Sequence, residues 1–125
     1  MIAILIKTTD EISVVELEED TLKAMQRAVG GFIEHVRPRY LRSPYCMIVN
    51  EEGLLRGMPI NNAASLLYGG ITPIVGDVLI LKDGLNEYNE PDVIGLEEQE
   101  AASLVSQLAN NMAFLTVKLW FEVGL

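Results

Sequence analysis

The sequence predicts an α+β fold: a β-grasp-like mixed sheet built in the order β-β-α-β-β-short α-β, followed by a C-terminal helix and strand. Three observations predict it. Short apolar, β-branched runs recur at residues 2–7, 12–18, 32–36, 45–50 and 74–82. Helical spacing of apolar residues appears over 21–29 and again over 96–113. Glycine and proline punctuate almost every junction between these runs. Half of the 125 residues are hydrophobic, enough for the core of one domain. Residues 1–82 make the body of that domain, and 83–125 read as an acidic helix-strand extension.

Taken in order, residues 2–7 are a near-continuous apolar run, as in a strand buried on both faces. Residues 8–11 turn the chain back, and residues 12–18 pair with the first strand as a hairpin. Asp20 is placed to cap a helix over 21–29, because its carboxylate can accept from the orphan amides of the first turn. Leu22, Met25, Val29 and Ala28 form the apolar stripe of that helix, with Lys23 and Arg27 outside it. Gly30-Gly31 ends it, since glycine takes the left-handed conformation without a Cβ penalty.

Residues 32–36 form a third strand. Phe32, Glu34 and Val36 face one way, Ile33 and His35 the other. A loop with two prolines, residues 37–44, leads to a fourth strand at 45–50. Asn50-Glu51-Glu52-Gly53 predicts a hairpin turn with a positive φ at Gly53, and Leu54-Leu55 predicts a short return strand. Met58-Pro59 breaks it. Asn61 or Asn62 caps a short helix over 63–68 that Gly69-Gly70 stops. Residues 74–82 predict a fifth strand, Asp83-Gly84 a turn, and residues 86–95 a connecting loop. The longest helix, 96–113, buries Ala101, Leu104, Val105, Leu108 and Met112 and carries its acids near its positive N-terminal end. Residues 116–123 alternate, with Val117, Leu119, Phe121 and Val123 on one face. That face either closes the protein's own sheet or joins two chains in a homo-oligomer.

The net charge is −9, and it is uneven. Residues 1–82 hold ten acids against eight bases, whereas 83–125 hold eight acids against one base. Such an acidic C-terminal third is unsuited to duplex nucleic acid or an anionic membrane. No apolar run approaches the roughly 18 residues of a membrane span. The N-terminal apolar run lacks the basic start and small-residue cleavage site of a signal peptide. Cys46 is the only cysteine, so no internal disulfide forms, and a cytoplasmic location is expected.

Several familiar chemistries lack their residues. His35 and Cys46 are the only histidine and the only cysteine. They fall on adjacent predicted strands, but a thiol between Tyr45 and Met47 reads as buried and inert rather than as an activated nucleophile. Two such ligands are too few for zinc, and neither Asn50-Glu51-Glu52-Gly53 nor the oxygen-rich 83–92 has calcium-loop spacing, so no metal and no cofactor is expected. Gly69-Gly70 follows a helix instead of leading into one, which excludes a phosphate loop. Glu51 and Glu52, with Glu34 from the neighbouring strand, are paired carboxylates whose side chains need not converge.

Four motifs run in order through the body of the chain: Val29-Gly30-Gly31-Phe32-Ile33-Glu34, Val49-Asn50-Glu51-Glu52-Gly53-Leu54-Leu55, Pro59-Ile60-Asn61 and Val75-Gly76-Asp77. In order and spacing this stretch, about residues 2–82, resembles an uncharacterised phage and bacterial family, domain of unknown function 3846. The resemblance implies phage or mobile-element ancestry and brings no settled activity. On its side of the argument Gly30, Gly31, Glu34, Asn50, Glu51, Glu52, Gly53 and Asn61 are the signature residues.

Two surfaces remain as candidates. Arg37, Arg39 and Arg42 lie within six residues, interleaved with Tyr40. Guanidinium forks suit phosphates and tyrosine offers a stacking face, so this loop is a candidate site for a small anion such as a nucleotide. Glu87, Glu90, Glu97, Glu98 and Glu100 form an acidic face able to occupy a basic groove on a protein partner. The expectation is a non-enzymatic binding protein of phage or mobile-element origin that engages a host protein of defence or nucleic-acid metabolism. The alternative is a protein that binds or sequesters a nucleotide, completed across an oligomer.

Overall fold

The computed structural model describes residues 1–123, with side chains through Lys118. Its elements are β1 (Ile2–Ile6), β2 (Glu11–Glu16), α1 (Thr21–Val29), β3 (Ile33–Val36), β4 (Tyr45–Asn50), α2 (Asn62–Tyr68), β5 (Val78–Leu85), β6 (Pro91–Ile94), α3 (Glu98–Asn111) and β7 (Thr116–Val123). The α+β class with a mixed sheet, a C-terminal helix and a C-terminal strand is the one the chain adopts. Seven strands join in one open sheet, in the order β3-β4-β5-β1-β2-β7, with β6 also paired to β5. All these pairs are antiparallel except β2 with β7, so one pair makes the sheet mixed.

Helices cover both faces of this sheet, which explains why β1, β4 as far as Val49 and the start of β5 are apolar at every position. Ala3, Leu5, Cys46, Ile48, Leu79 and Leu81 point to α1, where Ala24, Met25 and Val29 meet them. Ile4, Ile6, Met47, Val49, Val78 and Ile80 point to the other face, against α2 and α3. Leu22, expected in the α1 stripe, is instead exposed, and Ala24 takes the buried position. A small side chain fits there because the helix lies close to the sheet.

Caps fall where the residue types require them. The Asp20 side chain accepts from the Lys23 amide, and Asn61 accepts from that of Ala64. Gly30 and Gly69 close α1 and α2 in the left-handed region, at φ 81° and 70°.

Several boundaries differ from expectation. No return strand follows Asn50. Residues 51–57 instead coil in successive turns, held by Arg56 N to Glu52 O at 2.9 Å and Gly57 N to Leu54 O at 3.1 Å. Leu55 is 86% exposed and has no sheet face to serve. The positive φ belongs to Gly57, at 67°, and not to Gly53. Gly53 is required for space: a Cβ there would meet Val75 Cγ2 at 2.6 Å.

The fifth strand starts at Val78, because Gly76 at φ 78° bends the chain ahead of it; Val75 makes only an isolated bridge to Ile60. Asp83-Gly84 is not a turn. The strand runs through it to Leu85, and residues 91–94 of the expected loop return as β6. Pro91 stands at the first position of that strand, where its missing donor costs least. At the C-terminus, β7 is a strand of this sheet: Glu11 pairs with Thr116 and Ser13 with Lys118. Val117 packs partly on the core. The side chains of Leu119, Phe121 and Val123, on which the oligomer expectation rests, lie outside the described ones.

Candidate functional site

The arginine loop does not act as one unit. Arg37 is 79% exposed and its Nε lies 3.6 Å from Asp83 Oδ2, in the second half of β5. The backbone amides of Arg39 and Tyr40 donate to Tyr68 O and Leu67 O, which fastens the loop to the end of α2. The Tyr40 ring lies over Gly69, so close that a Cβ there would meet its Cε2 at 2.5 Å. Arg42 turns the other way, into a cleft.

That cleft, of about 410 Å³, opens between the loop, α2 and α3. Leu67, Leu104, Leu108 and Met112 give it an apolar floor, and Arg42, Gln107 and Asn111 supply polar groups, beside the aromatic rings of Tyr40 and Tyr45. Of the loop residues singled out by sequence, Tyr40 and Arg42 line it; Arg37 and Arg39 do not. Gln107 and Asn111 were missed. They sit four residues apart on α3 and so share one side of it, a signal that helical spacing carries.

A charged network fixes one wall. Glu100 accepts from Lys82 Nζ at 2.9 Å, from Tyr45 Oη at 2.9 Å and from the Glu97 amide at 3.0 Å. Partial burial acts to raise the Glu100 pKa, but the bonds from Lys82, the Glu97 amide and Tyr45 outweigh it and hold the carboxyl below its usual range. Burial, and then the Glu100 carboxylate, push the Tyr45 hydroxyl up. Glu100 is thus committed within the fold. Glu97 and Glu98 are exposed at the start of α3, and Glu87 and Glu90 are exposed in the β5–β6 connection.

The signature residues have structural partners. Asn50 donates from Nδ2 to Val29 O at 3.0 Å and accepts from the Glu52 amide at 2.8 Å. A Cβ at Gly31 would meet Asn50 Nδ2 at 2.9 Å, so the glycine makes room for this clamp. Arg56 reaches Gly30 O at 2.7 Å. Asn61, fully buried, donates to Ile6 O and to Gly76 O, both at 3.0 Å. Glu34 and Glu51 are exposed beside Asn50 along a second cleft of about 250 Å³, and Glu52 is exposed in the adjoining turn.

On the α1 face, three side chains meet at one end of the sheet. His35 Nε2 is 2.7 Å from Asp83 Oδ1. The Cys46 sulfur joins them, and one donor atom from each residue lies within 4.8 Å of the others. Burial pushes the Cys46 thiol up to about 12, and the Asp83 carboxylate acts in the same direction. Burial thus favours the protonated thiol over the thiolate. Asp83 was missed as a member because Asp-Gly reads as a turn.

The family described as Domain of unknown function (DUF3846) matches residues 1–109. The chain belongs to this family. The match runs beyond residue 82, through most of α3. No curated protein and no solved structure matches the chain significantly. No helix among the described residues is long and apolar enough to cross a membrane.

Proposed function

We propose that this DUF3846 protein is a non-enzymatic binding protein whose ligand is a small planar anion of the nucleotide class, held in the cleft between the arginine loop and α3. The observation that carries this reading is the lining: one guanidinium, two carboxamides and an exposed tyrosine ring around an apolar floor. Small-ligand sites have this composition, with few polar groups set in a mainly apolar wall, and typically occupy roughly 300–1,000 Å³. Arg42 would pair with the anionic group, Tyr40 would stack on the ring, and Gln107 and Asn111 would read its polar edge. Isothermal titration calorimetry with a panel of mononucleotides tests it. Arg42→Ala should weaken binding by about tenfold or more. Arg39→Ala should leave it unchanged, since Arg39 does not line the cleft. Equal affinities of Arg42→Ala and the parent would remove the reading.

A second reading, engagement of a basic protein partner, is favoured by the β5–β6 connection. There Tyr88 is 74% exposed between Glu87 and Glu90, an aromatic anchor in an acidic rim. Here Glu87, Glu90, Glu97 and Glu98 would meet the partner. Charge reversal at Glu87 and Glu90 that left co-purification from the native host unchanged would count against it.

A further inference from the structure

We propose that His35, Cys46 and Asp83 form a binding site for a zinc-class divalent transition metal, on the sheet face opposite the ligand cleft. The three residues come from adjacent strands, β3, β4 and β5. His35 pairs with Ile48, two residues along β4 from Cys46. Cys46 in turn pairs with Leu81, two residues along β5 from Asp83. Both steps are diagonals across neighbouring strands on one face, so pairing register sets the cluster and loop flexibility does not.

The donor set is nitrogen, sulfur and oxygen, the mixture that zinc and cobalt accept. Metal–ligand bonds of about 2.0–2.3 Å put tetrahedral donors roughly 3–4 Å apart. The cluster, whose donors lie within 4.8 Å of one another, needs only a small inward shift of the sulfur and a slight parting of His35 from Asp83. Cys46 is wholly buried, whereas His35 and Asp83 are about one-third exposed above it. A metal would thus enter from solvent, with three protein ligands and an outward fourth position.

Charge favours the same arrangement. On binding, the Cys46 thiol gives one proton to solvent and its sulfur lone pair to the metal. His35 binds as the neutral imidazole through the Nε2 lone pair, with the ring's single proton on Nδ1. Thiolate, carboxylate, neutral imidazole and a divalent ion then sum to zero in a half-buried site. Arg37, beside Asp83 Oδ2, remains as an outer partner that orients the carboxylate.

Cobalt titration of the reduced, chelator-treated full chain tests this. One equivalent should produce an intense near-ultraviolet thiolate-to-cobalt band together with visible bands of a tetrahedral ion, and zinc should displace it. His35→Gln and Asp83→Asn should each weaken binding by roughly tenfold or more. Cys46→Ser should abolish the near-ultraviolet band. Should that variant fail to fold, His35→Gln decides, because its side chain is partly exposed. Absence of the sulfur band at stoichiometric cobalt, or unchanged affinity in a folded His35→Gln protein, would overturn the site.

Discussion

At the scale of single residues, polar side chains that look like chemistry mostly hold the backbone together. Asn61 ties the end of β1, the bend at Gly76 and the first turn of α2 through three bonds, all in a fully buried position. Asn61→Ala removes a cap and strands two carbonyls, so it should cost about 2–4 kcal/mol in urea unfolding. A loss below half a kcal/mol would mean that those carbonyls find other donors. Gly30, at φ 81°, has ordinary space for a Cβ but the wrong backbone for one. Gly30→Ala should therefore cost about 1 kcal/mol, from backbone conformation and not from a clash.

At the scale of elements, Glu100 anchors the start of α3 to β4 and β5. Its folded pKa lies below the ordinary value of 4.5. The carboxylate therefore contributes stability that is fully present above the unfolded pKa and is lost as pH falls through the lower, folded one. Glu100→Gln should remove about 1–3 kcal/mol at pH 7. It should also flatten the fall in stability below pH 4.5, seen by following thermal midpoint against pH; an unaltered acid limb would assign that fall to other carboxylates. The central strand β5 bonds to β4, β1 and β6, and its Ile80 is wholly buried. Ile80→Ala should cost about 2–5 kcal/mol, because a packed sheet between helix layers cannot collapse into the cavity.

At the scale of the whole molecule, the sheet separates two candidate sites. The cleft belongs to the α2–α3 face and the metal cluster to the α1 face. A metal bound only by the folded state raises stability by about 2.7 kcal/mol at one hundred times its Kd. Zinc should raise the thermal midpoint of the parent and not of folded His35→Gln. If both sites bind independently, nucleotide affinity should be equal with and without zinc; a change of more than about threefold would mean that the sheet couples them.

The sequence by itself determined the α+β class, both apolar faces of the central strands, the cap at Asp20, a second cap at Asn61 or Asn62 and a glycine close at Gly30-Gly31. Each is a local matter of side-chain period or backbone freedom, and the residue types alone carry it. It also pointed to Tyr40 and Arg42. It misread residues 51–57, where Leu54 and Leu55 have strand character but no neighbouring strand to pair with. It misread Asp83-Gly84 too, because a turn-prone pair stays extended when β6 pairs with it and the Asp83 amide bonds Pro44 O on the other side. Only the tertiary structure decided that Arg42 faces α3 while Arg37 faces Asp83, that Glu100 is spent on Lys82 and Tyr45, and that Cys46 meets a histidine and an aspartate. Those residues lie 11 or more positions apart, and strand pairing and helix packing bring them together.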